Sequence, residues 1–384
     1  MSKTTIEERR AILDAVHDFA VTELEPHAQE WDQAKHFPRD VVQRAGDLGL
    51  GGIYVREDVG GAGLGRAEAV AIFEELAKGD PVIAAYISIH NMVGWMIDAY
   101  GSAAQREHWL PRLTAMDALG GYCLTEPGAG SDAAALTTTA IRSSDGHGSD
   151  EYVITGVKQF ISGGGEASVY VVMARTGEPG ARGITAFVVP DGTPGLSFGA
   201  NEKKMGWNAQ PTRQVIFDEV RVPASAVLGE LGKGFKIAMQ ALNGGRLNIA
   251  ACSIGGAQWA MDKAIRYVHE RFTFGEPLAE RQAVMFALAD MATKLQASRA
   301  LVRDAATALD EHAPDVALQC AMAKRFATDA GFEVANQALQ LHGGYGYLQD
   351  YGIEKVVRDL RVHQILEGTN EIMRVIIGRE LLSA

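Results

Sequence analysis

The sequence is short of cysteine. Cys123, Cys252 and Cys320 are the only three, far apart and without a CxxC pair. That argues against a disulfide scaffold and a structural zinc site, and the expected compartment is a reducing one, the cytoplasm. Positive charge is also in deficit. Lys and Arg number 36 against 48 Asp and Glu, a formal balance of −12, which argues against nucleic acid as the main partner. No run of about 18 apolar residues stands out, so no membrane span is expected. Met1 to Arg10 is polar and charged, without the apolar stretch of a signal peptide. Repeats and low-complexity tracts are absent. The histidines form no HxxxH pair on a convincing helix face, and no metal site is expected.

What is present is ample core material. Hydrophobic residues make up 47% of 384 residues and charged ones 22%, enough for two or three domains. The texture changes twice. Residues 1–118 carry apolar positions at helical spacing, such as Ile6, Leu13, Val16 and Phe19, with glycines near 49–52 and 60–65 as breaks. Residues 119–228 hold short β-branched runs between Gly, Pro, Ser and Asp: Tyr152 to Thr155, Val169 to Met173, Ile184 to Val189 and Gln214 to Phe217. Residues 229–384 return to long helical segments, over 233–270, 280–311, 315–341, 351–362 and 369–382. The expected fold class is α+β: an all-α N-terminal domain, a middle antiparallel β-barrel or sandwich, and a C-terminal four-helix bundle. Clefts between such domains are common ligand sites.

Four segments could carry chemistry. Tyr122-Cys-Leu-Thr-Glu-Pro-Gly-Ala-Gly-Ser-Asp132 forms a tight turn whose glycines let a ligand approach the backbone; it reads equally as an ordinary loop. Phe160-Ile-Ser162, before three glycines, could stack on a flat ring and donate one hydrogen bond, or simply end a strand on a core Phe. Gln340-Leu-His-Gly-Gly344 could present amides to a pyrophosphate, or be an ordinary helix C-cap, with His342 more often a packed residue than a ligand. Glu367 sits among Ile365, Leu366 and Gly368 at a junction of expected helices. It is either an N-cap or a base in an apolar pocket, where burial would raise its pKa.

Together and in this order these segments resemble the acyl-CoA dehydrogenase family along nearly the whole chain. Leu124-Thr-Glu-Pro-Gly-Ala-Gly-Ser131, Gln340-Leu-His-Gly-Gly344 and Glu367-Gly-Thr369 carry the likeness. Within the family it is strongest to members acting on isobutyryl-CoA in valine breakdown, through Ala85 to Met92, Gly206 to Arg213, Leu242 to Arg246 and Val362 to Glu367. The resemblance implies an FAD between the β domain and the C-terminal bundle, an acyl-CoA substrate, an electron-transfer flavoprotein as acceptor, and a homotetramer.

It also implies roles. Glu367 would be the catalytic base, removing the α-proton while the β-hydrogen leaves as hydride. Tyr122, Cys123, Leu124, Thr125, Gly130, Ser131, Phe160, Ile161, Ser162, Thr369, Asn370 and Glu371 would contact the flavin, although family members commonly carry Gln where Glu371 stands. Arg271, Phe274, Gln282, Gln340, Leu341, His342, Gly343 and Gly344 would reach the FAD of a neighbouring subunit. Ser131, Asn243, Gly244, Gly245, Arg246, Leu366, Gly368 and Arg379 would line the acyl-CoA site. Members acting on isovaleryl-CoA place the base at the position of Gly245, so the base has not moved here. Many straight-chain members have Tyr at the position of Leu366; losing the ring would make room for an α-methyl branch. The alternatives are a butyryl-, 2-methylbutyryl- or glutaryl-CoA dehydrogenase, an acyl-CoA oxidase, and a helical scaffold without activity.

Overall fold

The structure is a computed structural model that describes residues 5–144 and 150–383. Its helices follow the apolar periodicity closely. In the first third lie α1 (Ile6–Phe19), α2 (Ala28–Ala34), α3 (Arg39–Arg44), α4 (Arg66–Gly79), α5 (Pro81–Tyr100) and α6 (Ala103–Thr114). Thr5 opens α1 with a reciprocal cap to Glu8, and Ser102 opens α6 in the same way with Gln105. Asp80 caps α5, just before Pro81 at the first helical position. Helix α5 has the length and hydropathy of a membrane span, but 83% of the relevant window is buried inside the protein, as in a core helix.

The strands β1 (Gly120–Cys123), β2 (Thr139–Ser144), β3 (Asp150–Ser162), β4 (Val169–Arg175), β5 (Ile184–Pro190), β6 (Leu196–Phe198), β7 (Thr212–Pro223) and β8 (Val227–Leu228) form one sheet in the order β6-β7-β3-β2-β4-β5-β8, with β1 also on β4. The strands lie within residues 120–228, and the pairing is mixed rather than wholly antiparallel. β1 runs parallel to β4 from Gly120 opposite Val169 to Cys123 opposite Val172, and Thr139 of β2 meets Arg175 of β4 in the same sense. Two strands laid in one direction along a single neighbour cannot be joined by a hairpin. The connection 124–138, which carries the glycine turn, therefore swings off the sheet.

The remaining helices are α7 (Gly234–Glu270), α8 (Gln282–Asp310), α9 (Val316–His342), α10 (Ile353–Arg361) and α11 (Asn370–Ser383). A small hairpin, β9 (Phe272–Thr273) with β10 (Glu276–Pro277), separates α7 from α8; the sequence periodicity did not resolve it.

The apolar core crosses the texture changes. One cluster joins Phe73, Leu76 and Ile83 of the first helices to Leu247, Ile254, Leu295 and Leu360 of the last. A second joins Met92 and Leu113 to Val169, Val171 and Ile237, and a third fills the sheet around Cys123, Tyr170, Phe187 and Phe217. A buried ion group ties all three regions. Lys355 Nζ lies 3.0 Å from Asp80 and 2.8 Å from Asp359, and Asp359 also accepts from the Trp207 amide at 2.6 Å. Such a group adds mainly specificity of arrangement, since desolvation offsets much of its attraction.

Candidate active site

Glu367 lies between α10 and α11, in a turn and not at a helix cap. Its φ is +56° and that of Gly368 is +87°, so two successive residues take the left-handed conformation that side chains other than glycine avoid. The residue as a whole keeps intermediate exposure, yet its Oε2 is shut off from solvent with no hydrogen-bond partner. Burial pushes the carboxyl up to about 7, against the opposing pull of Arg246 and Lys324. Among the described residues the Glu367 N–H has no internal acceptor.

The surroundings come from α7 and α9. Gly245 touches the carboxyl: a Cβ there would stand 2.6 Å from Oε2. Arg246, buried, donates from Nε to the Glu367 carbonyl at 3.2 Å and from Nη1 to Asn243 at 2.9 Å. A Cβ on Gly244 would meet the Arg66 guanidinium, which lies 3.5 Å over the Tyr54 ring. Leu366 packs, half-buried, on the main core.

Lys324 was not picked out from the sequence. It is fully buried on α9 and donates to the Gly368 carbonyl at 2.8 Å and to Asn370 Oδ1 at 2.9 Å. The available signal was a lone cation on an apolar helix stripe, with Cys320 four residues before it and Ala327 three after.

On the β side, Tyr122 carries a buried hydroxyl without a partner. Burial first, and the Glu367 charge second, push that hydroxyl well above its usual range. The loop is latched to β3. Lys158 Nζ donates to the Leu124 carbonyl at 3.0 Å and pairs with Glu126 at 2.8 Å, while the Gln159 amide donates to the Thr125 carbonyl at 2.8 Å. Glu126 also accepts from the Thr137 and Thr138 amides at 2.6 and 2.9 Å. This buried pair was likewise missed in the sequence.

The next residue, Phe160, stands on a register shift of the β3–β7 pairing with φ +59° and 63% exposure. A bulge re-aims a side chain out of the sheet, so this is not the core Phe of a strand end. Ser162 accepts from Gln210 Nε2 at 3.1 Å. Gly128 and Gly130 face open space, and Ser131 is exposed.

A pocket of about 380 Å³ is lined by Arg271, Thr273, Gln340, Leu341, Gly343 and Gly344, among others. Gly343 and Gly344 have nothing near a would-be Cβ, and Phe274 at the β9–β10 tip is 97% exposed. Gln282 is exposed at the start of α8.

Several expected contacts take other roles. Cys123 and Ile161 are buried in the sheet core, so only their backbone is free to meet a ligand. The His342 ring is packed, bonded through Nδ1 to the Ala338 carbonyl at 2.8 Å and stacked on Tyr267. Asn370 spends its side chain on Lys324, Thr328 and Asp329 of α9. Glu371 is exposed and bonded to Arg374 at 3.2 Å. Thr369 accepts from the Ile372 amide at 3.3 Å as the cap of α11. Arg379 is exposed on α11, about 15 Å of helix rise beyond Thr369, and the fold does not bring it to the carboxyl.

The exposed Phe160, the open glycine turns and the orphaned Tyr122 hydroxyl fit a planar cofactor with a phosphate tail. Such a cradle, together with a buried carboxyl of raised pKa, suits a flavin-dependent oxidoreductase. Family models of the acyl-CoA dehydrogenase N-terminal, middle and C-terminal domains match residues 6–117, 121–220 and 232–382. Isobutyryl-CoA dehydrogenase of Bos taurus is 54% identical over 98% of this chain and 89% of its own length. A solved structure of butyryl-CoA dehydrogenase from Megasphaera elsdenii superposes with TM-score 0.94 at 38% identity, covering all of both chains. A chain in a structure of the electron transferring flavoprotein of Acidaminococcus fermentans gives 0.95 at 39%, also with full coverage of both. The chain belongs to the acyl-CoA dehydrogenase family, whose cofactor is FAD.

Proposed function

We propose that the chain converts isobutyryl-CoA to methacrylyl-CoA, a step of valine breakdown. The observation that carries the chemistry is the Glu367 carboxyl, buried, with one unpaired oxygen and a pKa near 7. The α-proton of a thioester is too weakly acidic for a carboxylate in water. Burial makes this carboxylate a stronger base, and the free Glu367 N–H can donate to the thioester oxygen as negative charge develops there. FAD, when bound, supplies the acceptor for the β-hydrogen, which leaves as hydride.

Backbone of Tyr122 to Thr125, with Gly130, Ser131, Phe160, Ser162 and Thr369, would hold the flavin. Arg271, Phe274, Gln282 and Gln340 to Gly344 would reach the FAD of a neighbouring copy in a homotetramer. Asn243 to Arg246, Leu366 and Gly368 would line the acyl slot. The branched substrate is supported by the 54% identity to a protein named isobutyryl-CoA dehydrogenase and by Leu366, a smaller side chain than the tyrosine that many straight-chain members carry there. The likeness to a chain in the electron transferring flavoprotein structure supports such a flavoprotein as electron acceptor. Three buried free cysteines suit a reducing compartment, the cytoplasm by expectation.

Anaerobic titration of the yellow protein with isobutyryl-, butyryl-, isovaleryl- and 2-methylbutyryl-CoA tests this. Isobutyryl-CoA should bleach the flavin fastest. Glu367→Gln should keep FAD and ligand but bleach slower by on the order of 10²–10⁴-fold. Bleaching of that variant at the normal rate would remove Glu367 as the base; fastest bleaching by a straight chain would remove the substrate assignment.

A further inference from the structure

The turn that carries the base is held by two buried cations from different helices. Arg246 of α7 donates to the carbonyl of Glu367 at 3.2 Å, and Lys324 of α9 to the next carbonyl, that of Gly368, at 2.8 Å. Both residues of the turn have positive φ, a conformation that needs outside support. Lys324 is also bonded to Asn370, and Asn370 to Thr328 and Asp329, so the ammonium is fixed from below by its own helix. This geometry exceeds what packing requires, because a buried lysine costs desolvation that an apolar residue would not.

We propose that Lys324 is a positioning residue for the base: its ammonium fixes the Glu367–Gly368 turn and, with Arg246, sets positive charge against the carboxylate. The inference rests on Glu367 being the base. The groups facing Glu367 are Arg246, Lys324, Tyr122 and Tyr54. Those facing Lys324 are Glu367, Arg246, Asp329, Glu371 and His363. Burial presses the Lys324 ammonium down to about 7, with the Glu367 charge opposing. The sign follows directly. A neighbouring cation favours the ionised carboxylate, so removing it raises the pH at which Glu367 loses its proton.

The test compares the FAD-loaded enzyme with Lys324→Met, Lys324→Gln and Lys324→Arg. The pH midpoint is read twice: from the rate of anaerobic bleaching by isobutyryl-CoA, and without turnover from the infrared band of the protonated carboxyl, identified by its loss in Glu367→Gln. Met and Gln should move both midpoints up, by about half a pH unit, since the ammonium is itself half-titrated where Glu367 ionises. They should cut kcat at pH 7 roughly tenfold or more while KM changes less than about threefold. Arg should restore the midpoint. Met and Gln proteins with normal FAD content and unmoved midpoints overturn the proposal. Failure of all three to fold also overturns it, since Lys324 would then be packing alone. If none of the acyl-CoAs bleaches the wild type while the infrared midpoint still moves, the substrate reading fails and the charge relationship stands.

Discussion

Gly245 leaves no room for a side chain against Glu367: a methyl group at Gly245 would lie 2.6 Å from Oε2 and 2.9 Å from Cδ of the carboxyl. Position 245 is thus the spot on α7 from which a side chain could take over the base's place. Gly245→Ala should push the carboxyl aside and lower kcat by about 10²-fold, the cost of roughly 1 Å of misplacement, with FAD content unchanged in the visible spectrum. Wild-type turnover in this variant would mean that the carboxyl has room to retreat.

The pH profile should report the base. With its pKa raised to about 7, Glu367 is mostly protonated at pH 5.5 and mostly ionised at pH 8.5. kcat/KM should therefore climb between pH 6 and 8 with a midpoint near 7, within about a unit. A profile flat across this window, with isobutyryl-CoA as substrate, would contradict the burial of the carboxyl.

The same shift bears on stability. A carboxyl whose folded pKa lies above its unfolded value of 4.5 destabilises the fold once both pKa values are passed, and has no effect where both states are protonated. Glu367→Gln should raise stability at pH 8 by about 1–3 kcal/mol and leave it unchanged near pH 4. Denaturant melts of the two proteins at both pH values give the comparison.

Phe160, at 63% exposure on its bulge, should matter for flavin and little for folding. Phe160→Ala should weaken FAD retention roughly tenfold, seen as loss of yellow colour on dialysis, while the apoprotein's stability stays within about 0.5 kcal/mol. A large loss of apoprotein stability would assign the ring a structural role instead.

The Glu126–Lys158 pair is 2.8 Å apart and almost wholly buried. Burial alone would raise the carboxyl, but the lysine and the amides of the loop hold it down to about 2. Lys158→Met should cost about 3–5 kcal/mol by stranding the carboxylate and should release the loop, with parallel loss of flavin. Denaturation midpoints with and without added FAD separate the two effects.

Leu366→Tyr should shift preference from isobutyryl-CoA toward butyryl-CoA, because the ring would fill the space left for an α-branch. A difference of one buried methyl group is worth about tenfold or more in kcat/KM. An unchanged substrate ranking would show that the branch is accommodated elsewhere.

Much of the molecule could be read directly from the chain. The periodicity placed α7 to α11 within a few residues, and the glycine turn, Phe160, Gln340 to Gly344 and Glu367 were marked by composition and by family likeness. The parallel entry of β1, the β9–β10 hairpin and the burial of α5 were not. Those depend on which neighbour a segment meets, and a local pattern carries no record of its neighbours. For the same reason the sequence did not foresee that the side chains of Asn370 and His342 turn inward, or that Arg379 stands exposed on α11.

The sequence by itself determined the long helices and the main strand runs, through the spacing of their apolar residues, and it determined that one carboxylate would stand at a break between two helices. Only the tertiary structure decided what that carboxylate is. It set Gly245 of α7 against it, Arg246 on its carbonyl and Lys324 of α9 beneath its turn. A carboxyl's basicity is set by the water it has lost and the charges it faces, and these are supplied by segments tens to hundreds of residues away.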